Sequence, residues 1–416
     1  MKRREIDRLD RELGSYLEEL LGGMGRSERR RAMAWYVTGL LLDGDRKSIE
    51  PIAGRLVDDP REIEAMRQRL QQCVSVSAWA EEDVWRRLAS KVDRELPEIE
   101  ALVIDDTGFA KKGEHSVGVA RQYSGTLGRV DNCQVAVSLH LASERASACI
   151  GMRLYLPESW ASNTKRREKA GVPEEVQFEP KWRISLAQLD DAKRWGVRNR
   201  VVLADGGYGE ITAFREGLTE RGLEYVVAIP GSIAVWAPDT GPIPPTGTRA
   251  PGARGPLRKR HKTGSEKPLP VHDLAASLGV SACRVLTWRE GSKGRQRSRF
   301  GTIRVRTAHR HMNGAAPGDE QWLMYEWPKG EPEPTKFWLS TVGADTPVKR
   351  LIHLAKLRWR VERDYQELKQ EVGLDHFEGR SWPGFHHHAA LCAVAHAFLA
   401  LRRALFPPEP NTVDAA

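Results

Sequence analysis

Carboxylates at four positions of this sequence have the placement that metal-dependent phosphoryl-transfer chemistry requires. Asp105 and Asp106 end the apolar run LVIDD, Asp205 ends VVLAD before a glycine turn, and Glu362 lies on a late amphipathic helix. Acids from distant parts of a chain, placed at the ends of strands, can together hold two divalent hard cations. Mg²⁺ takes one or two carboxylates per ion and completes its shell with water and substrate phosphates. These residues therefore predict a two-metal site for a phosphodiester substrate.

The helix that carries Glu362 has suitable polarity for such a site. The segment TPVKRLIHLAKLRWRVERDYQELKQEVG predicts one long helix with an apolar stripe that docks on a sheet. Arg358, Glu362 and Lys369 form an adjacent polar stripe of the same helix. An acid that holds metal, flanked by cations that contact phosphate oxygens, suits a phosphodiester.

Each acid also has a simpler structural explanation. Asp105 or Asp106, like Asp205, could accept hydrogen bonds from turn amides beside a glycine. Glu362 could be one half of a surface ion pair within its helix. These explanations suffice for each acid taken alone. Their joint occurrence in strand, strand and helix, with a basic segment between the last two, favours the metal site.

The composition indicates a soluble protein with a polyanionic partner. The chain has 416 residues, enough for two or three domains, and its hydrophobic and charged fractions of 40% and 29% are ordinary. A formal charge of +9 favours a polyanion as partner. The five cysteines are far apart, which indicates reduced cytoplasmic thiols and argues against a zinc finger. No apolar run approaches the roughly 18 residues of a membrane span, so no membrane partner is expected.

The pattern of apolar residues divides the chain into five parts. Residues 1–97 have helical periodicity, and residues 98–235 give strands followed by a strand and helix alternation, which is typical of a mixed sheet with flanking helices. Residues 236–334 are rich in Pro and Gly, then basic, then strand-like, which indicates a β-rich insertion. Residues 335–405 return to the core with the helix of the late acid, and residues 406–416 form a tail. The predicted fold class is therefore α/β.

Cations and aromatic side chains mark candidate contacts with a nucleic acid, although solvated surface cations are the alternative for each basic residue. The candidates for phosphate contacts near the acids are Arg358, Lys369, Lys111 and Lys112. The insertion is the most basic part of the chain through Arg258, Lys259, Arg260, His261, Lys262, Lys293, Arg295, Arg297 and Arg299. Trp322 and Trp327 could stack on an extruded base, but packing within a sheet is the simpler explanation. The run His386 to His388 is interpreted as the start of the final helix, since nothing nearby completes a metal ligand set.

Together these residues resemble the bacterial insertion-sequence transposases of the DDE superfamily. In one supergroup the late helix carries the signature Y-x-x-R-x-x-x-E-x6-K, which Arg358, Glu362 and Lys369 match, although Ala355 stands at the Tyr position. Asp205 in VLADGGYG looks like the second acid with its glycine turn. The stretch DDTGFAKKGEHSVGVARQYSGTLGRVDNCQVAVSLHLAS closely resembles one subgroup, and the similarity runs from about residue 10 to 405.

The resemblance implies a fold, a reaction and partners. The fold is an RNase H-like mixed sheet with flanking helices, interrupted by the β-rich insertion and preceded by an all-helical domain for the terminal inverted repeats. The reaction is the cutting and joining of transposon ends with two Mg²⁺ ions, for which Mn²⁺ can substitute. The partners are double-stranded DNA, at the inverted repeats and the target, and a second copy of the chain in a dimer on DNA. The expected location is the bacterial cytoplasm, at the nucleoid when bound to DNA.

The resemblance leaves the identity of the first acid open. Relatives often read Asp-x-Thr, which selects Asp105 with Thr107, whereas a gapless register with other relatives selects Asp106. Successive side chains of a regular strand point to opposite faces, so only one of the pair can face the metals. We favour Asp105.

Two rival classes of function fit parts of the same pattern. A non-catalytic DNA-binding protein derived from a transposase would keep the basic surface but tolerate the loss of an acid, and here all the acids are present. A metal-dependent nuclease or hydrolase acting on RNA or small phosphate esters would use the same acids. Such a hydrolase would have little use for a large basic insertion and a separate helical domain.

Overall fold

The fold is described from a computed structural model, which covers residues 3–245, 256–291 and 294–405. Lys293 and the predicted tail, residues 406–416, lie outside these ranges. Two compact units are present in the described residues. The first unit takes its residues from Met1–Asn199 and Trp359–Ala416, and the second unit takes its residues from Arg200–Arg358. The boundaries predicted at residues 97, 235 and 334 group the chain differently and stay predictions.

Helices occupy the first unit up to Glu95. They are α1 (Arg3–Leu21), α2 (Ser27–Leu41), α3 (Ile49–Leu56), α4 (Ile63–Gln71) and α5 (Glu81–Glu95), with a π-helical turn at Gln72–Val76 after α4. In α5 the buried side chains of Val84, Leu88 and Val92 recur every four residues, which gives the helix one apolar face. Acidic residues fill its first turn, where the positive end of the helix dipole favours them. The helical periodicity of this segment predicts these elements, and the structure has them.

Four antiparallel strands follow in the first unit. They are β1 (Ala101–Ala110), β2 (Ala120–Ser124), β3 (Arg129–Ala142) and β4 (Ser147–Leu154), and three helices come after them, α6 (Glu158–Ala161), α7 (Thr164–Ala170) and α8 (Lys181–Arg194). Strand β3 is central, because β1, β2 and β4 all pair with it. The β1 to β3 register runs without a shift from Ala101↔Ala142 to Ala110↔Cys133. Strand β1 is therefore regular where it carries the acid pair.

The second unit is a mostly antiparallel sheet with a few helices. Its elements are β5 (Val201–Ala204), α9 (Gly206–Gly209), α10 (Thr212–Glu220), β6 (Tyr225–Ile229), β7 (Ala234–Trp236), β8 (Leu269–Pro270), α11 (Val271–Leu278), β9 (Arg284–Gly291), β10 (Gly294–Thr307), β11 (Glu320–Trp327), β12 (Lys336–Ser340) and α12 (Val348–Leu357). The strand order is β5-β6-β12-β11-β10-β7-β8, and β9 pairs with β10. Only β5 and β6 are parallel among the described pairs of this unit. The predicted insertion therefore continues one sheet with β6 and β12 and does not form a sheet of its own.

The predicted long helix near the end of the chain is two helices in the structure. Helix α12 ends at Leu357, a turn residue follows at Arg358, and α13 runs from Trp359 to Gln370. Residues 348–370 contain no proline or glycine, so their local sequence does not predict the interruption. The acid of interest, Glu362, thus lies in the first turn of a new helix.

The final helix, α14 (Trp382–Leu405), is the core of the first unit. Among the described helices it alone is long and apolar enough to cross a membrane by length and composition, but 72% of its apolar window is buried in the protein. It packs against α2, α5 and β4. The histidines of its first turns, His386 to His388, are buried, and burial lowers the pKa of each. They lie close to backbone carbonyls, such as Val74 O at 2.9 Å from His387 Nδ1, as core histidines do.

Candidate active site

Asp105 and Asp106 project from opposite faces of the sheet. Asp106 Oδ2 forms an ion pair with Lys181 Nζ at the start of α8. Helix α8 therefore covers the face of the sheet from which Asp106 projects. Asp105 stands opposite Ser138 on β3, and residues paired in this way share a face. Ser138 Oγ lies 2.5 Å from the hydroxyl of Tyr365 on α13. Asp105, which is 8% exposed, therefore shares its face with α13, whereas Asp106 does not.

The raised pKa of Tyr365 is consistent with its position beside Asp105. Burial raises the pKa of Tyr365 well above its ordinary value, and the negative charge of Asp105 is the next cause. The hydroxyl group therefore stays protonated at neutral pH and can donate to one neighbour. Its neighbours at the sheet are Ser138 and, beyond it, His140.

Glu362 lies on the strip of α13 that approaches β1. It is one helical turn before Tyr365 and two turns before Lys369, and such spacings place side chains on one side of a helix. Val361 and Leu368 supply the buried face of α13, while the Glu362 side chain is exposed. An exposed acid beside a buried face leaves its carboxylate accessible to solvent and to a ligand.

Lys369 ties α13 to the strand of the acid pair. Its Nζ donates to Gly108 O at 2.7 Å, three residues after Asp105, and lies 5.1 Å from the centroid of the Phe109 ring. Burial lowers the pKa of Lys369 to about 8. The ammonium group has three donors, of which this bond uses one. Lys369 thus positions the helix of Glu362 over β1.

A buried polar network lies beneath this contact. His140 Nδ1 lies 2.8 Å from Asp364 Oδ2, and Asp364 Oδ1 accepts from Ser147 Oγ at 2.5 Å. His140 Nε2 lies 2.9 Å from Ser138 Oγ, which continues the chain of contacts to Tyr365. Burial opposes charging of the imidazole, yet the neighbouring Cys149 and the Asp364 carboxylate raise the pKa of His140 to about 10. The network joins α13 to β3 and β4 through charged and neutral hydrogen bonds.

A second cluster fixes the far half of α13. Glu367 accepts from Arg403 on α14 through two bonds of 2.7 Å, and from Arg363 at 2.8 Å. Burial would raise the pKa of Glu367, but His396, Arg403 and Arg363 together lower it well below its ordinary value. Helix α13 is therefore held on the sheet side by His140 and on the α14 side by Glu367.

Asp205 belongs to the second unit and caps a short helix there. It follows β5, and its Oδ1 accepts from Tyr208 N at 3.2 Å, in the N-cap position of α9. This hydrogen bond to a turn amide is the simpler structural explanation that the sequence offers for Asp205. It uses Oδ1 and does not involve Oδ2. The glycine turn is also a close approach, since a Cβ at Gly209 would lie 1.9 Å from Ala228 O. The convergence of Asp205 with the acids of the first unit stays a prediction.

The donors of this site suit a hard cation. Carboxylate oxygens are the ligands that Mg²⁺ prefers, and one or two per ion suffice because water and phosphate oxygens complete its shell. Asp105 and Glu362 offer such oxygens on β1 and on α13, while Asp106 is already neutralised by Lys181. Within the part of the chain that the structure describes, no three side chains of His, Cys, Asp or Glu are grouped to hold a metal ion.

The other predicted DNA contacts of the first unit differ in their accessibility. Lys111 Nζ donates to Phe377 O at 3.0 Å, and burial lowers its pKa. Lys112 is exposed. Lys111 therefore has a structural tie, and Lys112 is the better placed of the two to contact a phosphate.

The predicted contacts of the second unit also divide in this way. Lys259 and Arg260 are exposed, whereas Arg258 is half-buried and donates to Pro244 O. Trp327 is 8% exposed, and its Nε1 donates to Glu331 O at 3.0 Å, as the sheet-packing explanation requires. Trp322 is half-buried, with the Arg304 guanidinium 4.9 Å from its ring centroid. Arg358 lies half-buried at the end of α12.

Sequence reasoning did not find Lys181, His140 or Asp364. The signal for His140 was available, since alternation in QVAVSLHLAS places it on the face of Ser138, the partner of Asp105. Asp364 lies two residues after Glu362, but the surrounding sequence does not indicate that it contacts His140 on β3. Lys181 follows Pro180 at a helix start and carries no signal of an ion pair with Asp106.

The chain is similar to nucleases and transposases. The sequence model of the DDE superfamily endonucleases matches residues 19–295, a range that includes Asp105, Asp106 and Asp205 and ends before Glu362. A probable transposase for insertion sequence element IS701 from Microchaete diplosiphon is 33% identical over 129 residues, which are 31% of this chain and 31% of that protein. The matched part of the chain thus spans about a third of that relative's length.

A solved structure extends over more of the chain with less similarity. A piggyBac transposase in a synaptic complex with hairpin DNA matches 93% of this chain and 74% of its own, at 10% identity and a TM-score of 0.39. A TM-score this low does not establish a shared fold.

Proposed function

The chain belongs to the DDE superfamily endonucleases, and from that premise we propose that it is a transposase that cuts double-stranded DNA at transposon ends and joins them to target DNA. The observation that carries the proposal is the shared face of Asp105 and α13. Asp105 lies on the face that α13 covers, and Asp106 forms an ion pair with Lys181 on the other face, which supports Asp105 as the first acid. Asp205 is proposed as the third acid.

The core is proposed to be RNase H-like. The order of elements along the chain supports this proposal: antiparallel β1, β3 and β4, then α8, then parallel β5 and β6, and the acid-bearing α13 near the end. Asp205 directly follows β5 and Glu362 lies in the first turn of α13, whereas Asp105 and Asp106 lie in the middle of β1 and not at the end of a strand, where the sequence predicts them.

Two Mg²⁺ ions, with Mn²⁺ as a substitute, would be held by Asp105, Asp205 and Glu362. When bound, they would supply activation of a water or a DNA 3′-hydroxyl for in-line attack and stabilisation of the leaving oxygen. Asp105 is held in a buried, oriented position by β1 and by its neighbours on α13. Tyr365 stays protonated and presents no second negative charge to the substrate. The exposed carboxylate of Glu362 can reach solvent without breaking the buried network below it.

DNA would be held by cations around this face and on the second unit. On the first unit Lys369 keeps two N–H donors beyond its bond to Gly108 O, and Lys112 adds charge; Arg358, the last residue of the second unit, is proposed as a further phosphate contact. In the second unit Lys259 and Arg260 are exposed and suited to backbone phosphates. A homodimer on DNA, acting at the bacterial nucleoid, completes the proposal.

The test is cutting of duplexes made from the DNA that flanks the gene, with Mg²⁺ present. The wild-type chain is expected to cut these duplexes at the element ends. Glu362→Gln is expected to lose cutting by at least about a thousandfold, since it removes a ligand needed in the transition state, while its affinity for the duplex changes little.

Glu371→Gln is the matched control, because it neutralises an exposed acid just after α13. It should cut at the wild-type rate. Cutting that survives in Glu362→Gln would overturn the proposal.

A further inference from the structure

Four arginines of the helical segment line one hollow of about 750 Å³. Arg26 precedes α2, Arg29 and Arg31 lie on α2, and Arg69 lies on α4. Trp35 forms part of the wall, with the Arg31 guanidinium 5.9 Å from its ring centroid. One acid, Glu28, is among the lining residues. The hollow is thus a concentration of positive charge beside an aromatic surface.

These four arginines differ from their neighbours in their ion pairs. In the helical segment Arg61 pairs with Asp59 at 2.7 Å, Arg67 with Glu64 at 2.7 Å and Arg86 with Asp83 at 3.1 Å. The arginines of the hollow form no ion pair with any residue that the structure describes. Four cations beside a single carboxylate, Glu28, leave an excess of positive charge in the hollow, and an anion there would relieve the repulsion among them.

The elements that carry the arginines are fixed by the core. On the inner side of α2, Met33 and Val37 are fully buried. After α4, the indole of Trp79 donates to Cys73 O at 2.9 Å and stacks on His387 of α14 with ring centroids 3.8 Å apart. The hollow is therefore a preformed concavity on a packed scaffold, and little ordering would be needed on binding.

We propose that this hollow binds backbone phosphates of duplex DNA. The guanidinium groups present planar forks that match phosphate oxygens, and several of them in one concavity suit a polyanion that offers successive phosphates along a strand. The indole of Trp35 gives an apolar wall for the deoxyribose between two phosphates. The inference rests on the proposed function for its choice of DNA, and it assigns a phosphate-binding surface to α2 and α4.

The test is the salt dependence of DNA binding. The hollow variant is Arg26→Gln, Arg29→Gln and Arg69→Gln together, and the control is Arg61→Gln, Arg67→Gln and Arg86→Gln, which removes the same charge from paired arginines of the same segment. Log affinity falls with log salt, and each phosphate contact makes this slope steeper by about 0.9. The slope of the hollow variant should therefore be shallower than that of wild type by about 2 to 3. Its affinity at about 100 mM salt should fall at least about tenfold, and the control should change neither quantity comparably.

A lysine series keeps the proposal testable if the glutamine variant folds poorly. The same three positions changed to lysine keep the charge and should restore most of the slope. Equal slopes for hollow variant, lysine variant and control would overturn the proposal. A rise in melting temperature with inorganic phosphate, without any change in the DNA slope, would show a site for a free anion and would also overturn it.

Cutting separates this proposal from the proposed function. The control variant should cut end duplexes as the wild-type chain does, whereas the hollow variant should need a higher protein concentration for half-maximal cutting, because its arginines hold DNA. If the wild-type chain cuts and the slopes are equal, the hollow proposal alone fails. If the wild-type chain never cuts but the slope falls in the hollow variant, the proposed function fails and the hollow stands.

Discussion

His140 Nδ1 lies 2.8 Å from Asp364 Oδ2, and both side chains are almost completely buried. A buried ion pair is costly to desolvate, and here Ser138 and Ser147 satisfy the remaining polar atoms. The pair joins β3, the neighbour of the Asp105 strand, to α13, the helix of Glu362. The pair therefore fixes the position of α13 on the sheet, although His140 and Asp364 are 224 residues apart in the sequence.

Stability should depend on pH through His140. The pKa of His140 is about 10 in the folded chain and about 6.5 in an unfolded chain. A raised folded pKa gives stability that is complete below about pH 6.5 and is lost as the pH rises through 10. His140→Gln should thus lower the free energy of unfolding by about 3 to 5 kcal/mol near pH 6, since it removes the imidazolium partner of the buried Asp364 carboxylate, and by less at pH 10.

Urea unfolding of wild type and His140→Gln between pH 6 and pH 10 measures this difference. Exposed His115 provides the control, because His115→Gln should change stability little at any pH. A difference between wild type and His140→Gln that grows with pH would contradict a charged His140.

The two adjacent aspartates should differ in catalysis. Asp105→Asn should reduce cutting of end duplexes by at least about a thousandfold, because it removes an oxygen ligand on the face of α13. Asp106→Asn should cost less than about tenfold, because it breaks an ion pair on the other face. Single-turnover cutting measures both.

Lys181→Met removes the other half of that ion pair and should resemble Asp106→Asn. The reverse order, with Asp106→Asn inactive and Asp105→Asn active, would show that the α8 face carries the chemistry.

The glycine turn after Asp205 should tolerate a methyl group at one end only. A Cβ at Gly209 would meet Ala228 O at 1.9 Å, whereas one at Gly206 would have no heavy atom within 4 Å. Gly209→Ala should therefore destabilise the chain by about 1 to 3 kcal/mol or more, while Gly206→Ala should stay within about 1 kcal/mol of wild type. Denaturant unfolding compares the two, and equal stabilities would mean that α9 does not pack against β6 as described.

Period-two and period-3.6 patterns were enough to predict many elements of this fold. The apolar runs around Asp105 and Cys149 are β1 and β4, and the alternation of a regular strand correctly places Asp105 and Asp106 on opposite faces. What the patterns could not give is the face that α13 covers, because this depends on Tyr365 meeting Ser138, a contact across more than two hundred residues.

Two features of the fold were decided by tertiary context. The interruption at Arg358 has no proline or glycine as a signal, so local propensity favours a single helix over this segment. The strands of the predicted insertion look self-contained in sequence, but β11 pairs with β12 and β12 pairs with β6. Strand pairing across long loops leaves no local trace in the sequence.

The central claim is that Asp105, Asp205 and Glu362 act as one metal site, and Mn²⁺ binding in the presence of duplex DNA tests it most directly. Asp105→Asn, Asp205→Asn and Glu362→Gln should each weaken Mn²⁺ binding by more than the roughly tenfold to hundredfold effect of removing a group that only orients a ligand. Asp106→Asn should bind Mn²⁺ as wild type does. Wild-type Mn²⁺ affinity in Asp205→Asn, or a loss in Asp106→Asn equal to that in Asp105→Asn, would contradict the account.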